Sequence, residues 1–313
     1  MAEPDEFGEI ARLFRPLTGG AAGAFDLLDD AAVVPQRSGF DLVVTKDAIV
    51  EGVHFPVGER PDLIARKLVR TNLSDLAAKA ADPFGCFLAV AWPAGFGPAE
   101  RKAFARGLGE DLATYGVALL GGDTVSTPGP FTASLTALGW VPEGRVVRRA
   151  GAKPGDVVAV SGTIGDGALG LAAVRGEIAD PDDFLARRYR LPTPRLDLSD
   201  ALLARANAAA DVSDGLIADA GHIAAASGVA MTIDLDRLPL SPAAQRWLHA
   251  QDHRKAALIR LATGGDDYEV IATFTGSAPE GFTPIGAVSS GAGVSVTTAG
   301  SPVEVAETGF RHL

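Results

Sequence analysis

Aspartates beside apolar or glycine-rich residues recur along this sequence. They occur in LLDDAAVV (27–34), VVTKDAIV (43–50), NLSDLAAK (72–79), LLGGDTVS (119–126), ADVSDGLI (210–217) and TGGDDYEV (263–270). A carboxylate that leaves water needs a partner or a metal ion, because the loss of hydration is costly. Magnesium prefers such hard oxygen ligands, together with phosphates and water. One acid alone would more often be a helix cap or a turn residue, but the repetition favours a shared cation site. The candidate ligands are Asp30, Asp47, Asp75, Asp123, Asp211 and Asp214.

Glycines accompany several of these acids. In GGDT (121–124) and GGDD (264–267) they would let the main chain approach a phosphate or an ion, although an ordinary turn explains them equally well. GDGALG (165–170) fits the dinucleotide pattern G-x-G-x-x-G. In a chain with 37 glycines this match is weak, and we interpret it as a tight turn. No P-loop pattern occurs.

The remaining candidate residues have ordinary explanations as well. His54 follows a predicted strand and would most often be a partly buried structural histidine. Arg145, Arg148 and Arg149 could cover a domain junction or hold phosphate oxygens. Phe310 would by itself be assigned to core packing. No serine nucleophile motif and no zinc-ligand spacing is found.

The composition indicates a globular protein that does not bind nucleic acid broadly. The 313 residues are 47% hydrophobic and 21% charged, and the net charge is −11. An acidic chain repels phosphate backbones, so an anionic substrate would need cations as intermediaries. Cys86 is the only cysteine, which excludes an intrachain disulfide and favours a cytoplasmic location. No segment is apolar for long enough to predict a membrane span.

Alternating strand and helix patterns predict two α/β domains, 1–145 and 146–313. In the first half, a helix from Pro61 places Ile64, Leu68, Asn72 and Asp75 on one face. A second helix ends at Gly116. Strands are predicted at VVTKDAIVEGVHF, CFLAVAWP, VALLGG and FTASLTALGWV.

Turn residues and basic charge cluster at 142–155, where we place the domain boundary. The second half is predicted to contain strands at DVVAVSG and VAMTIDLD and a tail, from Gly264, of strands and turns. Helices are predicted at GDGALGLAAVRG, LDLSDALLARANAAA and after the turn in ADVSDGLIADAGHIAAASG.

Taken in order, these segments resemble the thiamine-monophosphate kinase family. The similarity covers nearly the whole chain, and EGVHF, NLSDLAAK and GGDT are its most specific parts. The resemblance implies the two-domain α/β (α+β) fold of the aminoimidazole-ribonucleotide-synthetase-like superfamily, with an ATP cleft between the domains. It also implies several Mg²⁺ ions and a cytoplasmic homodimer paired through its N-terminal domains. The implied reaction transfers the γ-phosphoryl group of ATP to thiamine monophosphate.

The resemblance also implies roles for individual residues. The metal ligands would be Asp30, Thr45, Lys46, Asp47, Asp75, Asp123, Asp211 and Asp214, with Asp47 and Asp75 central to catalysis and no general base. ATP would contact Gly121, Gly122, Arg149 and Ser213. Thiamine monophosphate would contact His54, Asp266 and Phe310.

Three positions depart from the family pattern: Leu28 stands for a glycine, Lys46 for a threonine, and Asp266 for a glutamate. The alternative is another ATP-dependent enzyme or a maturation protein of the same superfamily. Selenophosphate synthetase would need a reactive cysteine near its N-terminus, and the hydrogenase-maturation protein would need one at its C-terminus. This chain has neither.

Overall fold

The computed structural model describes residues 6–310 and divides them into two compact units. Leu76 and the described residues before it form the first unit together with Ala81–Gly144. The second unit consists of Ala77–Ala80 and the described residues from Arg145 onward. None of the helices within 6–310 is long and apolar enough to cross a membrane.

The first unit is built on a four-stranded sheet with the strand order β1-β4-β2-β3. Strands β2 and β3 are parallel, and the other neighbours are antiparallel. The elements are α1 (Glu6–Leu13), β1 (Phe40–Val50), α2 (Pro61–Ala78), β2 (Asp82–Pro93), α3 (Pro98–Tyr115), β3 (Ala118–Thr127) and β4 (Thr132–Pro142). Both predicted helices and three of the predicted strands of this half are confirmed; the fourth, VVTKDAIVEGVHF, is a strand only as far as Val50, and a turn follows it.

Helices α2 and α3 pack on one face of this sheet. Ile64, Leu68 and Asn72 of α2 are buried, as the 3.6-residue spacing predicts. Phe104 of α3 packs edge-on against Trp92 of β2 at a ring distance of 5.3 Å. Helix α3 ends where the sequence predicts, because Gly116 takes a left-handed conformation (φ 67°) that suits glycine.

The second unit contains a seven-stranded sheet with the order β11-β10-β7-β9-β5-β8-β6. Only β7 and β10 run parallel among its neighbouring strands. Its strands are β5 (Val157–Ser161), β6 (Ala206–Asp211), β7 (Ala230–Asp234), β8 (Val270–Phe274), β9 (Phe282–Ser289), β10 (Gly293–Thr298) and β11 (Ser301–Val303). Its helices are α4 (Asp166–Val174), α5 (Phe184–Arg190), α6 (Ser199–Arg205), α7 (Leu216–Ser227), α8 (Pro242–His249) and α9 (Arg254–Thr263).

One predicted helix is partly wrong. The segment LDLSDALLARANAAA was expected to be helical throughout, but α6 ends at Arg205 and Ala206–Asp211 form strand β6. Alanine favours helices locally, whereas here the alanines pair with β8 and are buried. Small side chains suit a strand packed tightly on both faces, so tertiary pairing overrides the local preference.

The surroundings of Asp29 and Asp30 also differ from the prediction. The sequence LLDDAAVV suggested acids inside a buried run, but residues 28–38 form no helix or strand. Leu28 is 72% exposed and Val33 is 54% exposed, and both aspartates are exposed as well. Water can therefore hydrate the Asp30 carboxylate, so Asp30 needs no metal ion to compensate for a loss of hydration.

Candidate active site

Strand β1 and helix α2 bring one group of polar residues together. The Thr45 hydroxyl donates a hydrogen bond to Asp75 Oδ2 at 2.5 Å. The backbone N–H of Asp47 donates to Asn72 Oδ1 at 3.0 Å, and Ser134 Oγ donates to the Asp47 carbonyl at 3.0 Å. Thr45 and Asp47 lie two residues apart in a strand, so both side chains point to the face that α2 covers. The result is a set of hard oxygen donors that suits Mg²⁺.

Two further predicted residues lie near this strand. Lys46 is exposed on the opposite face of β1 from Thr45 and Asp47. An ammonium group has no lone pair for a metal, so only the backbone carbonyl of Lys46 could be a ligand. His54 lies in the turn after β1, where its Nδ1 accepts a hydrogen bond from the Val50 N–H at 3.0 Å. That bond leaves Nε2 as the nitrogen that carries the proton of the neutral ring.

A second group surrounds a pocket of about 530 Å³ in the first unit. Asp30, Gly121, Gly122 and Asp123 line it. At Gly122 a Cβ atom would lie 2.0 Å from the Leu88 carbonyl oxygen, so the pairing of β3 with β2 requires glycine there. Apolar side chains from α1 and the following segments form much of the remaining wall: Phe7, Ile10, Phe14 and Leu27.

The two groups lie at opposite edges of the sheet. Asp47 in β1 pairs with Leu135, which pairs with Leu88 on the face covered by α2. Asp123 in β3 pairs with Ala89. Ala89 follows Leu88 in β2, so the side chains of Ala89 and Asp123 point to the other face of the sheet. Three strand spacings separate β1 from β3, or about 14 Å. Within one copy of the first unit, the carboxylates of Asp47 and Asp123 therefore do not converge.

In the second unit, a third group forms around the turn between β6 and α7. Asp211 ends β6 and is buried, and Ser213 and Asp214 follow it. The Asp266 N–H donates to the Ser213 carbonyl, and the Phe310 N–H donates to the Asp214 carbonyl, each at 2.9 Å. These backbone bonds bring the predicted substrate contacts to the turn that carries the predicted metal ligands. Arg149, the remaining predicted ATP contact of this unit, is exposed.

Asp219 holds this turn in place, a role that the sequence analysis did not predict. Its Oδ2 accepts the N–H groups of Ser213 and Asp214 at 3.1 and 3.2 Å. Burial, followed by the nearby Asp214 carboxylate, raises the pKa of Asp219 to about 7. The charge of Arg149 acts in the opposite direction on this pKa. An acid one turn into a helix and close to a preceding turn is the signal that could have identified it.

In the glycine motif GDGALG, a side chain of the protein itself binds the backbone N–H groups. The buried Asp267 carboxylate accepts the N–H groups of Gly165 and Gly167 at 2.8 and 2.9 Å. At Gly170 a Cβ atom would lie 2.2 Å from the Leu185 carbonyl oxygen of α5. The glycines thus serve a turn and a close helix contact, which supports the interpretation of this motif as a turn. Burial raises the pKa of Asp267 to about 8.

A buried ion-pair network, which the sequence did not indicate, supports the segment that carries Asp266. Glu269 accepts hydrogen bonds from Arg195 at 2.5 and 2.6 Å and from Arg188 at 3.0 Å. Ser161 Oγ also donates to it, at 2.7 Å. The spacing of these residues along the chain hides the network, because the partners lie 74 to 108 positions away. Asp266 itself has a left-handed backbone (φ 60°).

Comparison with known proteins defines the class of the chain first. Residues 28–141 match the family described as AIR synthase related protein, N-terminal domain. Residues 153–298 match the corresponding C-terminal domain family. The chain thus combines both domains of the AIR-synthase-related fold.

Individual relatives then define the family. The thiamine-monophosphate kinase of Caulobacter vibrioides is 57% identical over 97% of this chain and 85% of its own length. A crystal structure of the Stenotrophomonas maltophilia K279a enzyme of the same name has a TM-score of 0.78 at 38% identity, covering 88% of this chain and 91% of that one. AaThiL complexed with AMPPCP and TMP has a TM-score of 0.80 at 30% identity, covering 98% and 97%. This chain belongs to the thiamine-monophosphate kinase family.

Proposed function

We propose that this chain transfers the γ-phosphoryl group of ATP directly to thiamine monophosphate and releases thiamine diphosphate and ADP. The observation that carries the proposal is the likeness, over 98% of the chain, to AaThiL complexed with AMPPCP and TMP. The 57% identity to the Caulobacter vibrioides kinase supports the same reaction. These relatives do not favour the alternative of a maturation protein.

The residues around the candidate site agree with this chemistry. The acceptor is a phosphate with a second pKa of about 6, so it is largely ionised at neutral pH and needs no general base. The difficulty is to bring two polyanions together in line, and positioning and charge neutralisation overcome it. The carboxylates of Asp47 and Asp75 suit that task.

We propose magnesium as the cation. When bound, Mg²⁺ would neutralise the negative charge of the phosphate groups. The oxygen donors of Thr45, Asp47 and Asp75 fit its preference, and Lys46 would contribute its carbonyl. The other proposed ligands are Asp30, Asp123, Asp211 and Asp214.

The proposed substrate contacts come from the same three groups. Gly121, Gly122, Arg149 and Ser213 would contact ATP through backbone groups, a hydroxyl and a guanidinium. His54, Asp266 and Phe310 would contact thiamine monophosphate. Support comes from the backbone bonds that hold Asp266 and Phe310 against the Ser213–Asp214 turn and from the bond that orients the His54 ring.

We further propose a cytoplasmic homodimer that pairs through the first unit. Leu42 and Val44 of the edge strand β1 are 42% and 55% exposed, and Val125 of β3 is 50% exposed. An apolar sheet edge favours pairing with a second chain. A second copy could also bring its Asp123 group to the Asp47 group, which one copy holds apart. The unpaired thiol of Cys86 agrees with a reducing compartment.

Sedimentation of the purified protein tests the pairing. The wild type should sediment as a dimer, and Val44→Lys should shift it towards the monomer. Mixing the inactive variants Asp75→Ala and Asp123→Ala should restore part of the turnover if two copies share a site. A monomeric wild type with full turnover would contradict the proposed dimer.

Product analysis tests the reaction. The protein is incubated with ATP, Mg²⁺ and thiamine monophosphate, and thiamine diphosphate and ADP are quantified. Equal amounts of both products are expected, and none when free thiamine replaces the monophosphate or when Mg²⁺ is omitted. ADP without thiamine diphosphate would point to another acceptor, and no turnover by folded protein would contradict the kinase.

The variant Asp75→Ala tests the metal ligands. We expect its turnover to fall at least about 100-fold, since removal of one charge-stabilising group commonly costs that much. The fold should persist, and circular dichroism checks it. Asp82→Ala, at an exposed aspartate of the same unit, is the matched control. Turnover of Asp75→Ala close to wild type would contradict the metal-site proposal.

A further inference from the structure

The turn between β6 and α7 carries a cluster that the family pattern does not assign as a whole. Asp214, Asp219 and His222 each offer one ligand atom, and these three atoms lie within 4.8 Å of one another. Asp214 precedes helix α7, and the other two residues lie on it three positions apart. Side chains at this spacing point from the same helix face, so the helix itself brings His222 next to Asp219.

One atom of the cluster lacks a partner. Asp219 is 1% exposed, and its Oδ2 already accepts the two backbone N–H groups of the turn. Its Oδ1 is buried and makes no hydrogen bond within the described part of the chain. Holding the turn needs only one carboxylate oxygen, so this structural role leaves the second buried oxygen unexplained. A buried acceptor without a partner is rare, and a cation would satisfy it.

We propose that Asp214, Asp219 and His222 form a binding site for a first-row divalent cation. Two carboxylates and one imidazole leave positions open for water or a phosphate oxygen. The imidazole nitrogen makes Mn²⁺, Co²⁺ and Zn²⁺ better occupants than Mg²⁺, which prefers oxygen alone. His222 is exposed and Asp219 is buried, so the ion can enter from solvent and contact the buried oxygen.

This inference rests on the proposed function in one respect, because Asp214 is also a proposed magnesium ligand. It adds Asp219 and His222 and predicts a nitrogen ligand at this ion, whereas the Thr45, Asp47 and Asp75 group offers oxygen ligands. A nitrogen ligand to the bound ion therefore distinguishes this site from the oxygen-ligand group, and it can be detected without ATP or turnover.

Pulsed electron paramagnetic resonance with Mn²⁺ as the probe makes that measurement. In the full chain without nucleotide, we expect the echo modulation of a directly bound ¹⁴N nucleus. His222→Ala should abolish this modulation, and His249→Ala, at another exposed helical histidine of the same unit, should retain it. His222 is exposed, so its replacement should leave the fold intact.

Affinity gives a second readout. Asp219→Asn keeps an oxygen for the turn N–H groups but removes the charge, and it should weaken Mn²⁺ binding at the nitrogen-containing site at least about tenfold. Absence of ¹⁴N modulation in the wild type, or its persistence in His222→Ala, would overturn the inference whatever the kinase assay shows. The expected modulation without formation of thiamine diphosphate would instead contradict the proposed function alone.

Discussion

At the scale of single residues, the role of each acid depends on what lies against its two oxygens. Asp75 receives the Thr45 hydroxyl, and Glu269 is surrounded by two arginines. Asp267, which is buried, receives the backbone N–H groups of Gly165 and Gly167. These acids cannot be distinguished from the sequence, because their hydrogen-bond partners come from distant parts of the chain.

The buried acid Asp267 should make stability depend on pH. Burial raises its pKa in the folded chain from 3.8 to about 8. Between these two pH values, the folded state therefore holds a proton that the unfolded state has released. Its contribution to the free energy of unfolding is present below about pH 4 and is lost as pH rises to about 8. Asp267→Asn cannot ionise and should lack this decline. We therefore expect the difference in the free energy of unfolding between the variant and wild type to shift in favour of the variant as pH rises from about 5 to about 8.

Urea denaturation at several pH values measures this difference. Asp252→Asn, at an exposed aspartate of the same unit, is the control and should follow the wild-type curve. Parallel curves for Asp267→Asn and wild type would show that Asp267 titrates alike in the folded and unfolded chains.

At the scale of elements, helix and strand patterns predicted most of the first unit, whereas helices α5, α8 and α9 of the second unit were not predicted. Helix α2 follows from its apolar spacing, and α3 from that spacing together with the left-handed stop at Gly116. Strand β6 was missed because its alanines favour a helix until β8 pairs with them. Local preference could not predict that pairing, since the two strands lie far apart in the sequence.

Helix α4 provides a test of close packing. A Cβ atom at Gly170 would lie 2.2 Å from the Leu185 carbonyl oxygen, whereas at Gly221 of α7 the nearest atom is 3.9 Å away. Gly170→Ala should therefore destabilise the chain by about 1–3 kcal/mol through overpacking. Gly221→Ala relieves the poor helix propensity of glycine and should stabilise by up to about 1 kcal/mol.

Thermal unfolding of the two variants beside wild type measures both effects. The midpoint should fall for Gly170→Ala and stay level or rise for Gly221→Ala. An equal shift in the two variants would mean that helix propensity, and not the contact with α5, determines the outcome.

At the scale of the whole molecule, the candidate site shows where sequence reasoning stops. Family resemblance named acids from the whole chain, and the structure gathers them into three groups within two units. Which acids share a sheet face follows from strand register, as for Asp47 and Asp123. Register is set by long-range pairing, so the motifs alone could not separate these groups. The exposed setting of Asp30 was missed for a different reason: its apolar neighbours suggested a buried run, whereas residues 28–38 form neither helix nor strand.

Cys86 should report on the first unit alone. It is fully buried in β2, and burial raises the pKa of its thiol to about 12. Reaction needs an exposed thiolate, so a thiol reagent should modify the native protein far more slowly than the urea-unfolded protein. Mass spectrometry over time follows the modification. Equal rates in native and unfolded protein would contradict the burial of Cys86.

Recombination between the genes of two relatives is expected to disrupt the contacts of residues 77–80. The chain leaves the first unit after Leu76, passes through the second, and returns at Ala81. Within the second unit, Ala78 and Ala80 belong to a buried cluster, and Lys79 Nζ donates to the Ala209 carbonyl at 2.9 Å. A crossover after Gly144 would supply Ala209 from one parent and Lys79 from the other, 130 positions apart. Residues 77–80 are therefore expected to evolve together with the residues of the second unit that they contact, although the two segments lie in opposite halves of the gene.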